Sequence, residues 1–497
     1  MKHGQSQLPI LNNAEQGDAS PPNPSRRRFV GMSILSAAAG LAAASSAAAR
    51  RDSDPDEDHA FDDEVELQVR KLGRIDPFDI RSDYKPWSET KVIQKTGPLA
   101  DHPELIPKMA KFVFPGFDNS QPGYTQKDWA LMVGSHSLKF LMSVRPDPYA
   151  QHPFDASLLD MKPPDEDPID AEDSESRKRE LPSVLKLLMG DHVYKEQYVF
   201  ESPKEASNAV KRAARLYGAD LVGIVPRDPR FDFDEFYSPT KGKHGWEDIP
   251  FQVKTVIMLG FEMDYEGMRA APYHTGDAAT GEGYSQMHKT GYQLQIFLKN
   301  LGYHAVYGGN EFGLSVPYAV LAGFGEVGRH GLLINYKYGP RIRLAKVLTD
   351  LDVFEFDEPV EFGVQEFCKR CQRCADACPS QAISKEREPS YGPSFEHDGN
   401  WFVNPGAKKW YNDLLKCFHF WAENGNGCSS CITSCPYNKP DFWHHRLVDK
   451  ISATLPGPVH SVMREMDIMF GYGTTFNEAD VYEFWDADDK DYSGRPK

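Results

Sequence analysis

The sequence predicts a mixed chain, of the α+β or α/β class, in which a small cysteine-rich module is inserted into a larger core. Three observations predict it. From about residue 205, stretches with apolar residues at helical spacing alternate with short runs of Val, Ile and Leu. All eight cysteines fall between Cys368 and Cys435. The chain then runs on for about sixty residues, so the module sits inside the fold and not at its end.

Taken in order, the N-terminus comes first. Ser25-Arg26-Arg27-Arg28-Phe29-Val30 precedes an Ala-rich apolar run from Met32 to Ala44, and Ser45 to Ala49 supply small residues suited to cleavage. That layout predicts a twin-arginine export signal over 1–49. The competing reading is a membrane anchor, but the apolar run is short for about 30 Å of hydrocarbon. Twin-arginine export carries proteins already folded, which suits a chain whose cofactor is inserted in the cytoplasm.

Residues 50–66 and 163–180 are acidic and poor in apolar side chains, and read as solvated linkers. Residues 68–162, rich in aromatics and prolines without clear periodicity, read as an N-terminal wrap. "SNAVKRAARLYGADLVGIV" then gives a helix ended by Gly218 and a strand from Leu221 to Val225. Thr255–Met263 reads as a buried strand. Tyr284, Met287, Gly291, Leu294, Leu298 and Leu301 share one helix face, a strand follows near His304–Tyr307, and "RIRLAKVLTDLDV" alternates as another. The divisions predicted are 1–49 signal, 50–200 wrap and linkers, 201–362 core, 363–440 cysteine module, and 441–497 a segment packed on the core.

Net charge is −17, and no basic stripe tracks phosphates, so nucleic acid is not an expected partner.

Cys368, Cys371, Cys374 and Cys378, followed by Pro379, form C-x2-C-x2-C-x3-C-P, the run by which bacterial ferredoxins hold cubane clusters. Its fourth cysteine ligates the other cluster, so a second group is required. Cys417, then Cys428-x2-Cys431-x3-Cys435-Pro436, supplies it. The crossed pattern assigns one [4Fe–4S] cluster to Cys368, Cys371, Cys374 and Cys435, and the other to Cys378, Cys417, Cys428 and Cys431. Disulfides, natural in an exported chain, and zinc are the alternatives that this spacing disfavours. His444-His445 follows the module, but adjacent side chains on an extended segment point opposite ways, so a packing role is expected.

Gly308 to Val347, "GGNEFGLSVPYAVLAGFGEVGRHGLLINYKYGPRIRLAKV", is crowded with glycines that permit close backbone approach to a flat or bulky ligand. The Gly323-x-Gly325-x-x-Gly328 match follows a helical-looking run and is not a dinucleotide fingerprint. This segment, the export signal, "YGPRIRLAKVLTDL" and both cysteine groups together resemble the respiratory-type reductive dehalogenases, corrinoid and iron–sulfur enzymes that remove halogen from organohalides.

The resemblance implies a nitroreductase-like core holding a base-off corrinoid, with contacts at Gly308, Gly309, Ser315, Gly323 and Gly325. The Asp-x-His-x-x-Gly motif that supplies a lower histidine ligand elsewhere is absent, as in that family. It further implies that Tyr284 donates the proton, Arg343 assists it, and Asn310 lies near the halide. The residues alone leave structural roles open: Tyr284 as a core aromatic, Arg343 in an ordinary ion pair, Asn310 as a turn residue. Arg341, Tyr292 and His288 compete for the same assignments. A small membrane anchor protein, a membrane-derived electron donor and a location in the periplasm or at the outer face of the cytoplasmic membrane are also implied. An epoxyqueuosine reductase and a non-catalytic electron-transfer subunit are the rival readings; export and acidity oppose the first, and a bulky-ligand core opposes the second.

Overall fold

The computed structural model describes residues 69–73, 75–92, 116–143, 193–238, 242–397, 402–439, 469 and 471–487. The chain divides into two units, Met1–Asp63 and Glu64–Lys497. The first, with the predicted export signal, lies outside the described residues, as do the 163–180 linker and His444-His445. Among the described residues no helix is long and apolar enough to cross a membrane.

Helix α1 (Gln126–Ser143) belongs to the stretch predicted as an aperiodic wrap. It escaped the periodicity test because its inward face is partly polar: Asp128, Met132 and His136, spaced four apart, are the buried ones. Asp128 accepts from the Thr275 hydroxyl at 3.0 Å and Trp485 Nε1 at 2.7 Å. His136 lies 3.3 Å from Asp277.

Helix α2 (Pro203–Tyr217) begins at an Ser202 cap whose side chain accepts from Glu205 N. It ends at Gly218 with φ 118, a conformation other residues rarely adopt. Its buried residues Ala206, Val210 and Ala214 form one stripe, as the sequence periodicity predicts. Strands β1 (Leu221–Pro226) and β2 (Thr255–Glu262) follow. The long helix α3 (His274–Asn300), strand β3 (Ala305–Gly308), short helix α4 (Ser315–Leu321) and strand β4 (Ile342–Thr349) complete the core.

The sheet order is β1-β2-β4-β3, and every neighbour pair is antiparallel, which selects α+β over α/β. Alternation sorts the strand side chains. Ile257 and Leu259 join Met287, Leu294 and Leu298 of α3 and the α2 stripe on one face. Val256 and Met258 join Tyr318 and Ala319 of α4, with Phe231, Phe233 and Phe312, on the other. Two independent apolar layers grip the sheet, with each fully buried Leu, Ile or Phe contributing about 1.5–3 kcal/mol.

The cysteine module repeats one turn twice. After Cys371, Gln372 stands at φ 57 and a four-residue helix Arg373–Asp376 leads to Cys378; after Cys428, Ser429 stands at φ 57 and Ser430–Thr433 leads to Cys435. C-terminal to it, helix Glu478–Asp486 returns to the core: Val481 packs with Ala270 and Tyr273, and Asp480 pairs with Arg269.

Candidate functional site

The eight cysteines are free thiols that fall into two groups. Cys368, Cys371, Cys374 and Cys435 line one cavity with Arg329, His330, Ile334, Phe367 and Tyr437. After burial itself, the charges that push the Cys374 thiol up are those of Cys368, Cys435 and Cys371, followed by Cys431 of the neighbouring group. For Cys431 they are Cys428, Cys417 and Cys378. Each group thus takes three cysteines from one motif and one from the other. The groups abut where Cys374 packs with Cys378, Cys417 and Cys431.

This donor set fits iron–sulfur clusters. Among the described residues no three His, Cys, Asp or Glu side chains converge to hold a single metal ion; the cysteines ring a volume, which is what several irons need. Burial, with the neighbouring cysteines behind it, pushes Cys368 and Cys417 up to about 12, so it takes a metal's positive charge to hold them as thiolates.

Two residues outside both motifs flank the first group. Arg329, 1% exposed, donates from Nη2 to the Cys368 carbonyl at 2.7 Å and from Nη1 to the Ser384 and Glu386 carbonyls at 2.8 and 2.6 Å. Its guanidinium lies 4.7 Å from the Trp410 ring centroid. His330 is buried, and burial alone pulls its pKa down to about 4, which keeps the ring neutral. Sequence spacing gave no signal for either, since each lies far along the chain from the cysteines it meets.

Tyr284 on α3 and Arg343 on β4 meet across the edge of the core, both half-buried. Arg343 Nη1 donates to the Tyr284 hydroxyl at 3.3 Å, and its Cζ lies 4.7 Å from the ring centroid. Its Nε points at Met263 Sδ, 3.3 Å away. Among the described residues Arg343 has no carboxylate in salt-bridge range, so the ordinary ion pair is not its role. Arg341 is the one so engaged: 2% exposed, it pairs with Glu262 at 2.6 Å and donates to the Met263 and Lys439 carbonyls. His288 turns its Nδ1 back to the Tyr284 carbonyl at 2.8 Å. Tyr292 is half-buried on the same helix.

Asn310 stands exposed in the turn after β3 and forms no hydrogen bond with Tyr284 or Arg343. The turn itself is held by Lys346, fully buried, whose Nζ donates to the Gly309 carbonyl at 3.1 Å, the Glu311 carbonyl at 2.9 Å and Ser315 Oγ at 2.9 Å. Ser315 is thereby committed to the chain's own framework. A Cβ at Gly308 would meet the Phe312 ring at 2.5 Å. At Gly323 it would meet the Glu358 carbonyl at 2.6 Å, and at Gly325 the Ile334 carbonyl at 2.0 Å. These glycines are explained by the chain's own close packing, and at none of the five predicted contacts does a polar side chain await a corrinoid.

Fold and site together define a two-cluster iron–sulfur protein built on a mixed α/β core. The model of the 4Fe-4S double cluster binding domain matches residues 367–438. By sequence the chain is similar to reductive dehalogenases: it is 41% identical over 316 residues to the tetrachloroethene reductive dehalogenase of Desulfitobacterium hafniense, covering 57% of this chain and 56% of that protein. It is 33% identical over 315 residues to the tetrachloroethene reductive dehalogenase of Sulfurospirillum multivorans, covering 57% and 60%. The chain spans just over half the length of these curated relatives. A solved reductive dehalogenase, described with a mechanism for B12-dependent dehalogenation, shares the fold with a TM-score of 0.60 at 18% identity, over 85% of this chain and 52% of that one.

Proposed function

We propose that this protein is a reductive dehalogenase that replaces a halogen on an organohalide by hydrogen, R–X + 2e⁻ + H⁺ → R–H + X⁻. The observation that carries the reading is the Tyr284–Arg343 pair, a phenol and a guanidinium in contact on a chain that also builds two cluster sites.

A bound corrinoid would supply the reduced metal that engages the carbon–halogen bond, and the family likeness is its support. The chain's own residues account for the proton. A phenol with a reference pKa near 10 keeps its proton in neutral water yet can yield it to strongly basic carbon. The neighbouring guanidinium, charged at every working pH, stabilises the phenolate left behind. Half-burial strengthens that attraction over its value in water. The cysteine module answers for the two electrons, since eight thiolates in two abutting groups hold the carriers side by side.

Finer points belong to the same proposal: a nitroreductase-like core, a corrinoid in the base-off form, export by the twin-arginine route to the periplasm or the outer face of the cytoplasmic membrane, a small membrane anchor partner and an electron donor in that membrane. Their support is the family likeness and the Ser25–Val30 sequence.

The test is metal content followed by halide release. Anaerobically reconstituted protein should hold about eight iron and about one cobalt per chain, and release halide from chlorinated ethenes or halogenated phenols with a low-potential reductant. Iron without cobalt would overturn the dehalogenase reading and leave electron transfer.

A further inference from the structure

The imidazole of His330 lines the cavity ringed by Cys368, Cys371, Cys374 and Cys435. Its Nδ1 accepts the Leu332 N–H at 3.1 Å. A nitrogen that accepts carries no proton, so in the neutral ring the proton sits on Nε2. That Nε2–H is buried and has no hydrogen-bond partner among the described residues. A buried donor left unsatisfied costs about 1–3 kcal/mol, so the ring is built to meet something that the protein itself does not provide.

The surroundings narrow what that is. Apart from Arg329, Gln372 and the Tyr437 phenol, the rest of the cavity wall is apolar or thiol: Ile334, Phe367, Pro436 and the four cysteines. Arg329 next door brings a buried positive charge and, among the described residues, no ion-pair partner. A cubane with four thiolates is an anion whose sulfurs accept hydrogen bonds, and donors to those sulfurs favour the reduced, more negative state.

We propose that His330 donates its Nε2–H to a sulfur of the cluster held by Cys368, Cys371, Cys374 and Cys435, and that this bond raises the reduction potential of that cluster. His330 is a tuning residue and touches no substrate. The second site is served differently, by the Ala382 N–H donating to Cys378 Sγ at 3.3 Å, with the Ser380 hydroxyl 3.5 Å from Cys378 Sγ and the Ser430 hydroxyl 3.2 Å from Cys428 Sγ, so the effect should be confined to one cluster. The inference rests on the two-cluster reading and not on the dehalogenation chemistry.

The experiment uses the full chain reconstituted anaerobically. About eight iron and two reduced-cluster electron paramagnetic resonance signals establish the platform; their absence would overturn the two-cluster reading and this inference with it. The signal perturbed in Cys417→Ser is the second cluster's. With the protein labelled in 15N-histidine, pulsed spectroscopy should show a histidine nitrogen coupled to the other signal, and the coupling should vanish in His330→Phe. A redox titration should show that cluster's midpoint falling in His330→Phe, recovering in part in His330→Gln, with the second unmoved. No nitrogen coupling in the unsubstituted protein, an unchanged midpoint in His330→Phe, or an equal shift of both clusters would each overturn the proposal. If His330→Phe holds no iron, the coupling in the unsubstituted protein decides alone.

Discussion

Gly283 and Arg343 share one space: a Cβ on residue 283 would stand 2.8 Å from Arg343 Cγ and 3.2 Å from Met263 Cγ. Arg343 reaches the Tyr284 hydroxyl because the residue before that tyrosine has no side chain. Gly283→Ala should therefore displace the guanidinium and lower halide release by about 10²-fold, the cost of a small misplacement of a reacting group. Alanine favours a helix over glycine by about 1 kcal/mol, so the melting temperature should hold or rise while activity falls. A variant that loses both equally would show that the contact is mere packing.

Tyr284→Phe keeps the ring under the Arg343 guanidinium and removes only the hydroxyl. Loss of a general acid costs about 10²–10⁴-fold, with iron content unchanged. Arg343→Met should cost less alone and little more in the Tyr284→Phe background, because the two act as one unit. Steady-state halide release for the two single variants and the double variant checks this.

The crossed grouping predicts that each motif serves both clusters. Cys435→Ser should abolish the resonance signal of the site shared with Cys368, Cys371 and Cys374, although it lies in the second motif. Cys378→Ser should abolish the other. Loss of the wrong signal in either variant would break the assignment.

Arg341 offers the contrast to Arg343. Its side chain is 2% exposed and bonded to Glu262 and two carbonyls. Arg341→Met removes the buried guanidinium that pairs with Glu262, and breaking such a buried pair costs about 3–5 kcal/mol. Denaturant unfolding of the variant should show that loss, whereas Arg343→Met should shift stability far less.

What the sequence made readable follows its physics. Strands β1, β2 and β4 are runs rich in Val, Ile and Leu buried on both faces; the first two were found within a residue, and the third was read four residues too far at its C-terminal end. The cysteine spacing is local chemistry and survives without a structure. Helix α1 was missed because Asp128 and His136 occupy its inward face, so hydrophobic periodicity carried no signal. Arg341 and Arg343 could not be told apart in sequence, being two residues apart on one strand; only the position of Glu262 separates them. His330 went unnoticed since the cysteines it meets lie in another segment, and at Gly323 and Gly325 nearby carbonyls by themselves account for the lack of a side chain.

The crossed ligand sets also order events at the ribosome. Cys368, Cys371 and Cys374 emerge first, yet the site they form stays open until Cys435 has been translated, and Cys378 likewise waits for Cys417, Cys428 and Cys431. A chain stalled between the two motifs can close neither site. The nascent segment therefore emerges as a set of unpaired thiols that must be kept reduced until the second motif arrives, and cluster delivery is a late step that commits the whole module at once.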